Sequence, residues 1–599
     1  MTSNKKFYLF TISIFSISSL LFLYAFRGSL QFRIELLINF SNLTLKLIIK
    51  TILYFFIFFF VAFLIYKIFR IYIPRKRNYK FLLAGWIMYF FSFSLLVLSD
   101  WALIRFPLDQ IATVYYTLSN IQGGGVDNSI FFEAFSILIY CLIFSAACFF
   151  SIFICGRNFN KENSFSSDSN NLVCISNNNA RIKIKINIDF IYLVIGIFSI
   201  IFSIIQVYKD LHVSEYLKFF EKRNEKPIDS DFYRSEYISP QYENILFPDK
   251  KKNIILILME SMESSFAETK SGGLLQKNLI PNLTKLAEQN INFSETLKTG
   301  GGIDLSGTGW TVASMTAKFA GLPFNMTDNQ GLTGRIFFLP GAVTLTDILA
   351  YNGYNQRFIF GSDKRFAGRD ALLETHGNVE IHDKAWYKKN GMLHEDYNVF
   401  WGFEDEKLYD YAKIELTKMS ELNQPFMFGL LTVDTHNPTG YLCNICPNSE
   451  DMPIKNAILC ADNQIGNFIN WCKKQNWYDD TIIVIMGDHL FMDTEATTPF
   501  SGNDQRALRR WINVFINADK TNMVNAVIKN RFFSSLDMFP TILAAAGCKI
   551  KGDRLGFGVN LFSQEKTLRE RFSMDYINSE IMANSIQYRN MEFPKDFPK

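Results

Sequence analysis

Two kinds of apolar pattern divide this chain. Toward the N-terminus, apolar blocks at 7–26, 51–69, 81–99, 131–155 and 188–207 carry almost no charge. Each approaches the ~20 residues that a helix needs to cross a bilayer. Residues 34–48 are also apolar and extend the second block or lie at the interface. The first block follows Lys5 and Lys6 and lacks a convincing small-residue cleavage site, so it reads as an anchor and not as a signal peptide. After residue 250 the apolar runs shorten. Those at 254–259, 356–360, 426–433 and 481–486 read as buried strands. Helical patterns at 280–289, 311–320, 345–352 and 462–475 lie between them. This alternation predicts an α/β domain with a central, mostly parallel sheet.

Lys and Arg orient the spans. Arg70, Arg75, Lys76, Arg77 and Lys80 follow the second span, and Arg157, Lys161, Arg181, Lys183 and Lys185 follow the fourth. Both loops are expected inside. The loop after the third span, with Asp100, Asp109, Asp127 and only Arg105, is expected outside. The expected organisation is a five-span transmembrane domain at 1–207, a partly helical juxtamembrane linker at 208–252 and an extracytoplasmic domain at 253–599. The Ser- and Asn-rich stretch at 158–180 reads as a flexible cytoplasmic loop.

Composition agrees with a membrane protein. Aromatic residues make up 16%, including 60 Phe, while only 20% are charged. A net charge of +4, with no basic patch interleaved with aromatics, argues against nucleic-acid binding. Of nine cysteines, Cys443, Cys446, Cys460, Cys472 and Cys548 fall in the polar part. Cys443-x-x-Cys446 lacks a second pair to complete a zinc site, and in an oxidising compartment a structural disulfide is the better reading.

The chemistry sits where apolar runs stop. The first strand ends at Glu260, and the last delivers Asp488 and His489. Ligands of an α/β sheet bind beyond the carboxyl ends of its strands, so these three form a candidate divalent-metal site. Taken singly, Glu260 could begin a helix and Asp488-His489 could be a solvated turn. Thr311 opens a helix behind a Gly-rich stretch, a position that suits a phosphate group. Coordination to a metal would activate its hydroxyl as a nucleophile. The plainer reading of Thr311 is an N-cap, and Thr308 and Ser306 are rival nucleophiles. His436 ends a third strand and is a candidate phosphate contact or general acid. Arg369 and Arg365 follow a fourth strand and suit bidentate phosphate recognition. His394 is a weaker candidate.

Together these residues resemble a known family. GTGWTVASM at 307–315, GLP at 321–323, RFAGRD at 365–370, WGF at 401–403, TVDTH at 432–436 and DHL at 488–490 are similar to motifs of membrane-anchored transferases in the alkaline phosphatase/sulfatase superfamily. The similarity covers nearly all of 253–545. It is nearest to the branch that transfers phosphoglycerol onto osmoregulated periplasmic glucans. The resemblance implies five spans in the inner (plasma) membrane and a catalytic domain in the periplasm. It implies Glu260, Asp488 and His489 as metal ligands, with Thr311 as nucleophile and fourth ligand. Mn²⁺ is the first choice, with Mg²⁺ or Zn²⁺ as alternatives. His436 and Arg369 would hold the phosphoglycerol. Phosphatidylglycerol would be the donor, diacylglycerol the leaving group and a glycan the acceptor. A disulfide is also implied, with Cys443 and Cys460 at the family's cysteine positions and Cys446 and Cys472 as extras. Lipoteichoic acid synthases carry a His at the end of the fourth strand, where this chain has Phe360-Gly361. Phosphoethanolamine transferases follow their Thr helix with Pro-Cys, where this chain continues Met315-Thr-Ala-Lys. The rival readings are a phosphoethanolamine transferase, a hydrolase of the same superfamily, or a membrane scaffold without activity.

Overall fold

The strand Asn253–Met259 (β1) lies at the centre of the sheet and is buried on both faces. Its side chains alternate between two cores. Ile254, Leu256 and Leu258 enter one, and Ile255, Ile257 and Met259 the other, which is why the run is continuously apolar. The computed structural model describes residues 79–105, 134–139, 141–142, 145–146, 173–174, 183–184, 188–211, 213–326, 335–437, 439–492, 506–519 and 526–595.

The other strands of the sheet are Gly301–Gly302 (β2), Asn355–Phe360 (β3), Glu380–His382 (β4), Phe426–Leu431 (β5), Thr481–Gly487 (β6) and Trp511–Ile516 (β7). Their order is β2-β7-β6-β1-β5-β3-β4. From β6 to β4 every neighbour is parallel, while β7 runs antiparallel to both β6 and β2. The mostly parallel sheet expected from the sequence is present, and β2, β4 and β7 extend it beyond the four strands read there.

The register builds the site. Met259 pairs with Gly487, and Leu258 pairs with Leu431. The next residues, Glu260, Asp488 and Thr432, therefore emerge together at one edge of the sheet. Thr311–Ala320 (α1) packs against this edge. It ends at Gly321, whose φ of +63° and close approach to the Leu555 carbonyl (2.9 Å from an added Cβ) leave little room for a side chain. Arg369–Thr375 (α2) follows β3, Asp405–Ser420 (α3) precedes β5, and Pro453–Cys472 (α4) precedes β6. The last begins nine residues before the pattern at 462–475, because Pro453 opens the helix at its first turn.

The chain divides into two compact units, with Tyr216 and Leu217 on either side of a boundary. Part of the segment read as a linker folds onto the second unit. Phe232 and Tyr233 are buried in its core, and Ile245–Leu246 pairs antiparallel with Lys549–Ile550.

The first unit contains the helices Tyr79–Arg105 and Ile188–Asp210, at the third and fifth expected spans. They meet through small residues. A Cβ on Gly196 would stand 3.0 Å from the Gly85 carbonyl, Ser203 donates to Ser92 Oγ at 2.9 Å, and Ser92 donates to the Ser199 carbonyl at 2.9 Å. Among the described residues no helix is long and apolar enough to cross a membrane. The first two expected spans and most of the fourth lie outside the described residues. A short antiparallel pair, Val173–Cys174 with Lys183–Ile184, borders and partly overlaps the stretch read as a cytoplasmic loop.

Candidate active site at the carboxyl edge of the sheet

Glu260, Asp488 and His489 converge, with one ligand atom from each lying within 4.8 Å of the others. All three are buried. His489 Nε2 lies 3.3 Å from Asp488 Oδ2 and 3.6 Å from Glu260 Oε1. The backbone holds this geometry. Ser261 and His489 both donate their N–H groups to Asp488 Oδ1 at 2.7 Å, and Asp488 N–H donates to the Met259 carbonyl at 2.9 Å. Glu260 N–H donates to Thr432 Oγ1 at 2.9 Å, and Thr435 donates to the Glu260 carbonyl. Ser261 sits at φ +51°, a left-handed turn that ends the strand abruptly.

Thr311 completes the cluster. Its Oγ1 lies 3.5 Å from His489 Nε2. Of its two rivals, Thr308 is fully buried, and its hydroxyl is engaged with both the N–H and the carbonyl of Leu305. Ser306 is exposed, and its N–H donates to Asn578 Oδ1 at 2.8 Å.

The donor set fits a divalent cation. His489 Nδ1–H donates to the Leu490 carbonyl at 2.8 Å, which leaves the Nε2 lone pair facing the carboxylates. Asp488 Oδ2 is buried with no hydrogen-bond partner among the described residues. Burial and the neighbouring Asp488 push the Glu260 carboxyl up to about 8. Burial opposes protonation of His489, but Asp488 and Glu260 outweigh it and raise its pKa. Such a crowd of buried acidic groups is relieved by a cation.

Arg369 and His436 were the two substrate contacts expected from the sequence. Arg369 opens α2 and is buried. It donates to Ser362 Oγ at 2.9 Å and to the Asp363 carbonyl, and its guanidinium lies 4.5 Å from the Phe360 ring centre. Burial lowers its pKa to about 10, with Asp363 and Glu260 holding it up, so it stays charged at neutral pH. Arg365, by contrast, is exposed and paired with Asp363. His436 lies 4.7 Å from the Trp401 ring centre. Its Nδ1–H donates to the Asn437 carbonyl at 2.9 Å, and burial lowers its pKa to about 4. The imidazole is thus neutral, with Nε2 as an acceptor. His394 is exposed, 3.8 Å from Asp396.

Several supporting residues escaped the sequence reading. Lys318 is fully buried on the helix of Thr311. It donates to the Asp488 carbonyl at 2.7 Å and lies 4.6 Å from the Trp511 ring centre. Ser314 donates to the same carbonyl. Asp304 accepts from Leu490 N–H at 2.9 Å. Buried Glu263 accepts from Phe491 N–H at 2.9 Å and pairs with Arg509. The visible signal was a lysine inside an otherwise apolar helix; for Glu263 there was none.

The cysteines correct one expectation. The bond joins Cys446 to Cys460, and not Cys443 to Cys460. A turn, closed by Cys446 N–H donating to the Cys443 carbonyl at 3.1 Å, carries the second cysteine toward α4. Cys446 and Cys460 then stand 4.9 Å apart at Cα, within bridging range. Cys443, Cys472 and Cys548 are buried thiols.

A buried metal-type cluster at the carboxyl edge of such a sheet, with a hydroxyl at its rim, defines a class. Residues 252–548 match the Sulfatase family. Within that class it is similar to phosphoglycerol transferase I of Xanthomonas campestris pv. campestris (strain B100), with 31% identity over 349 residues, 57% of this chain and 46% of the relative. The enzyme of the same name from Escherichia coli O127:H6 is 30% identical over 364 residues, covering 58% of this chain and 44% of the relative. The chain thus spans a little under half the length of these curated relatives. Among solved structures it is similar to the lipoteichoic acid synthase LtaP from Listeria monocytogenes (TM-score 0.41, 18% identity, 58% of this chain and 81% of that one). It is also similar to the Streptococcus pyogenes phosphoglycerol transferase GacH (TM-score 0.38, 13% identity, 58% of this chain and 88% of that one).

Proposed function

We propose that this protein transfers phosphoglycerol from phosphatidylglycerol to a periplasmic glycan through a phosphoglycerol–Thr311 intermediate, releasing diacylglycerol. The observation that carries the reading is the Thr311 hydroxyl at 3.5 Å from His489, on the rim of the Glu260/Asp488/His489 cluster. The phosphoglycerol specificity rests on the similarity to the phosphoglycerol transferases I.

Glu260, Asp488 and His489 would hold a divalent cation, with Thr311 as the fourth ligand and Mn²⁺ preferred for a mixed oxygen and nitrogen set. Bound there, the cation supplies positive charge that lowers the pKa of a neighbouring hydroxyl and offsets charge on phosphoryl oxygens. Thr311 Oγ attacks phosphorus, the bond to the diacylglycerol oxygen breaks, and phosphoglycerol remains on Thr311. Arg369 offsets charge on the equatorial oxygens. In the second half, a sugar hydroxyl attacks the same phosphorus, the bond to Thr311 Oγ breaks and the glycan leaves carrying phosphoglycerol. Neutral His436, whose Nδ1–H is donated to the Asn437 carbonyl, takes the hydroxyl's proton while Thr311 Oγ takes one up.

The same reading puts the donor in a membrane. Five spans at 1–207 would anchor the protein in the inner membrane, with 253–599 in the periplasm. The two described helices of the first unit support this. Phe91, Phe198 and Phe202 are at least half exposed, while Ser92 and Ser203 are buried. Apolar residues outward and small polar residues inward is the arrangement of helices packed in lipid. Anchoring raises the effective concentration of a lipid substrate.

The test is intact mass and peptide mapping of protein quenched during turnover with phosphatidylglycerol. A phosphoglycerol adduct on Thr311 supports the proposal. A phosphoethanolamine adduct from mixed lipids would move the protein to the other transferase branch, and no adduct with unchanged diacylglycerol release would make it a hydrolase.

A further inference from the structure

The sulfurs of Cys443, Cys446 and Cys460 lie within 4.8 Å of one another. Cys446 is bonded to Cys460, and the free thiol of Cys443 stands 3.4 Å from Cys446 Sγ. The present bond ties the segment that leaves His436 to α4, which carries Cys460. A bond between Cys443 and Cys446 would close only the turn that the Cys446 N–H already makes with the Cys443 carbonyl at 3.1 Å. Gln464, one turn beyond Cys460, donates its amide toward Cys460 Sγ at 3.4 Å and Cys443 Sγ at 3.6 Å. The segment between is tightly laced to the site. Gly440 N–H donates to the His436 carbonyl at 3.0 Å, Tyr441 N–H donates to the Asp434 carbonyl at 2.8 Å, and the Tyr441 ring stacks 5.8 Å from Phe400.

We propose that Cys443, Cys446 and Cys460 form an intramolecular thiol–disulfide exchange site that switches the His436 segment between attachment to α4 and release from it. The Cys443 thiolate attacks Cys446 Sγ. The Cys443–Cys446 bond forms as the Cys446–Cys460 bond breaks, and the electron pair leaves on Cys460. Cys460 takes up a proton equivalent to the one that Cys443 gave up, so no oxidant or reductant is consumed. The Gln464 amide stabilises the departing thiolate. Burial pushes the Cys443 thiol up to about 11, with Glu406 of α3 and Asp434 adding to the effect. Exchange is therefore slow at neutral pH and sets a lasting state of the loop. The inference does not depend on which group the enzyme transfers.

The test uses the full-length protein in detergent, incubated at about pH 8.5, near the pKa of an ordinary thiol. Aliquots are acid-quenched, alkylated after unfolding and mapped without reduction. The expected result is two isomers, Cys446–Cys460 with alkylated Cys443 and Cys443–Cys446 with alkylated Cys460, in a ratio independent of protein concentration. Finding only Cys446–Cys460 at every time, or Cys443–Cys460 instead, overturns the assignment. Hydrogen exchange then compares Cys443→Ser with Cys460→Ser. Amides of 436–446 are expected to exchange about tenfold faster in Cys460→Ser, as a local opening does when a tie is lost. Equal rates overturn the release. Wild-type protein before and after equilibration provides the same comparison if Cys460→Ser does not fold.

Discussion

Thr311 Oγ1 and His489 Nε2 lie 3.5 Å apart, although 178 positions separate them in the chain. Two hydrogen bonds from the Thr311 helix to the Asp488 carbonyl, from Ser314 and Lys318, hold them there. Replacing Thr311 with Ala is expected to lower transfer by about a thousandfold or more, since no nucleophile remains. The melting temperature should hardly change. Thr311→Ser keeps the oxygen and should retain activity well above that of Ala. Diacylglycerol release from labelled lipid gives the comparison, and equal rates in Ala and wild type would reassign the nucleophile.

Divalent-cation binding is expected to release protons. In the cation-free protein, burial and Asp488 push Glu260 up to about 8. Below that pH its proton competes with the cation, so apparent affinity rises with pH up to about 8. Calorimetry at pH 7 in buffers of different ionisation enthalpy should report about one proton or more lost per cation, from Glu260 and from His489, whose pKa is also raised. Asp488→Asn is expected to weaken binding strongly. A pH-independent affinity would mean that Glu260 is not a ligand.

Lys318 joins the Thr311 helix to the Asp488 loop with no carboxylate at hydrogen-bond distance among the described residues. Lys318→Met leaves the Asp488 carbonyl one buried donor short, a loss of about 1–3 kcal/mol. Urea unfolding of the full chain in detergent measures it, and unchanged stability would show that the ammonium only fills space.

Asp405 and Asp434 form a buried acidic pair below the His436 segment. Asp434 N–H donates to Asp405 Oδ2 and Asp405 N–H donates to Asp434 Oδ2, both at 3.0 Å. Burial pushes Asp405 up to about 7, and burial together with Asp405 raises Asp434 as well. The folded state therefore binds more protons than the unfolded chain between the ordinary carboxyl range and about pH 7. Stability from this pair is present at low pH and is lost as pH rises through that window. Asp405→Asn should flatten the fall, read as melting temperature from pH 4 to 7.

The four long parallel strands and Thr311 at its helix start were legible because burial on two faces writes an unbroken apolar run. Glu260, Asp488 and His489 were legible because each breaks such a run. β7 was not, although its sequence, Trp511–Ile516, is apolar: it runs antiparallel to β6, outside the alternation of parallel strands and helices by which the other strands were read. Glu263 and Arg509 were invisible, since a pair 246 positions apart leaves no local pattern. The disulfide partner stayed open in the sequence because three of the cysteines lie close enough to compete, and only the turn at Cys443–Cys446 decides between them.

Gly361 closes β3 against the neighbouring loop: a Cβ there would meet the Phe403 carbonyl at 2.6 Å, and Phe403 N–H donates to the Gly361 carbonyl at 2.9 Å. Even alanine would force two main chains apart. Any side chain at this position would require the loop at 402–403 to be rebuilt with it, so the end of the strand admits only the residue it has.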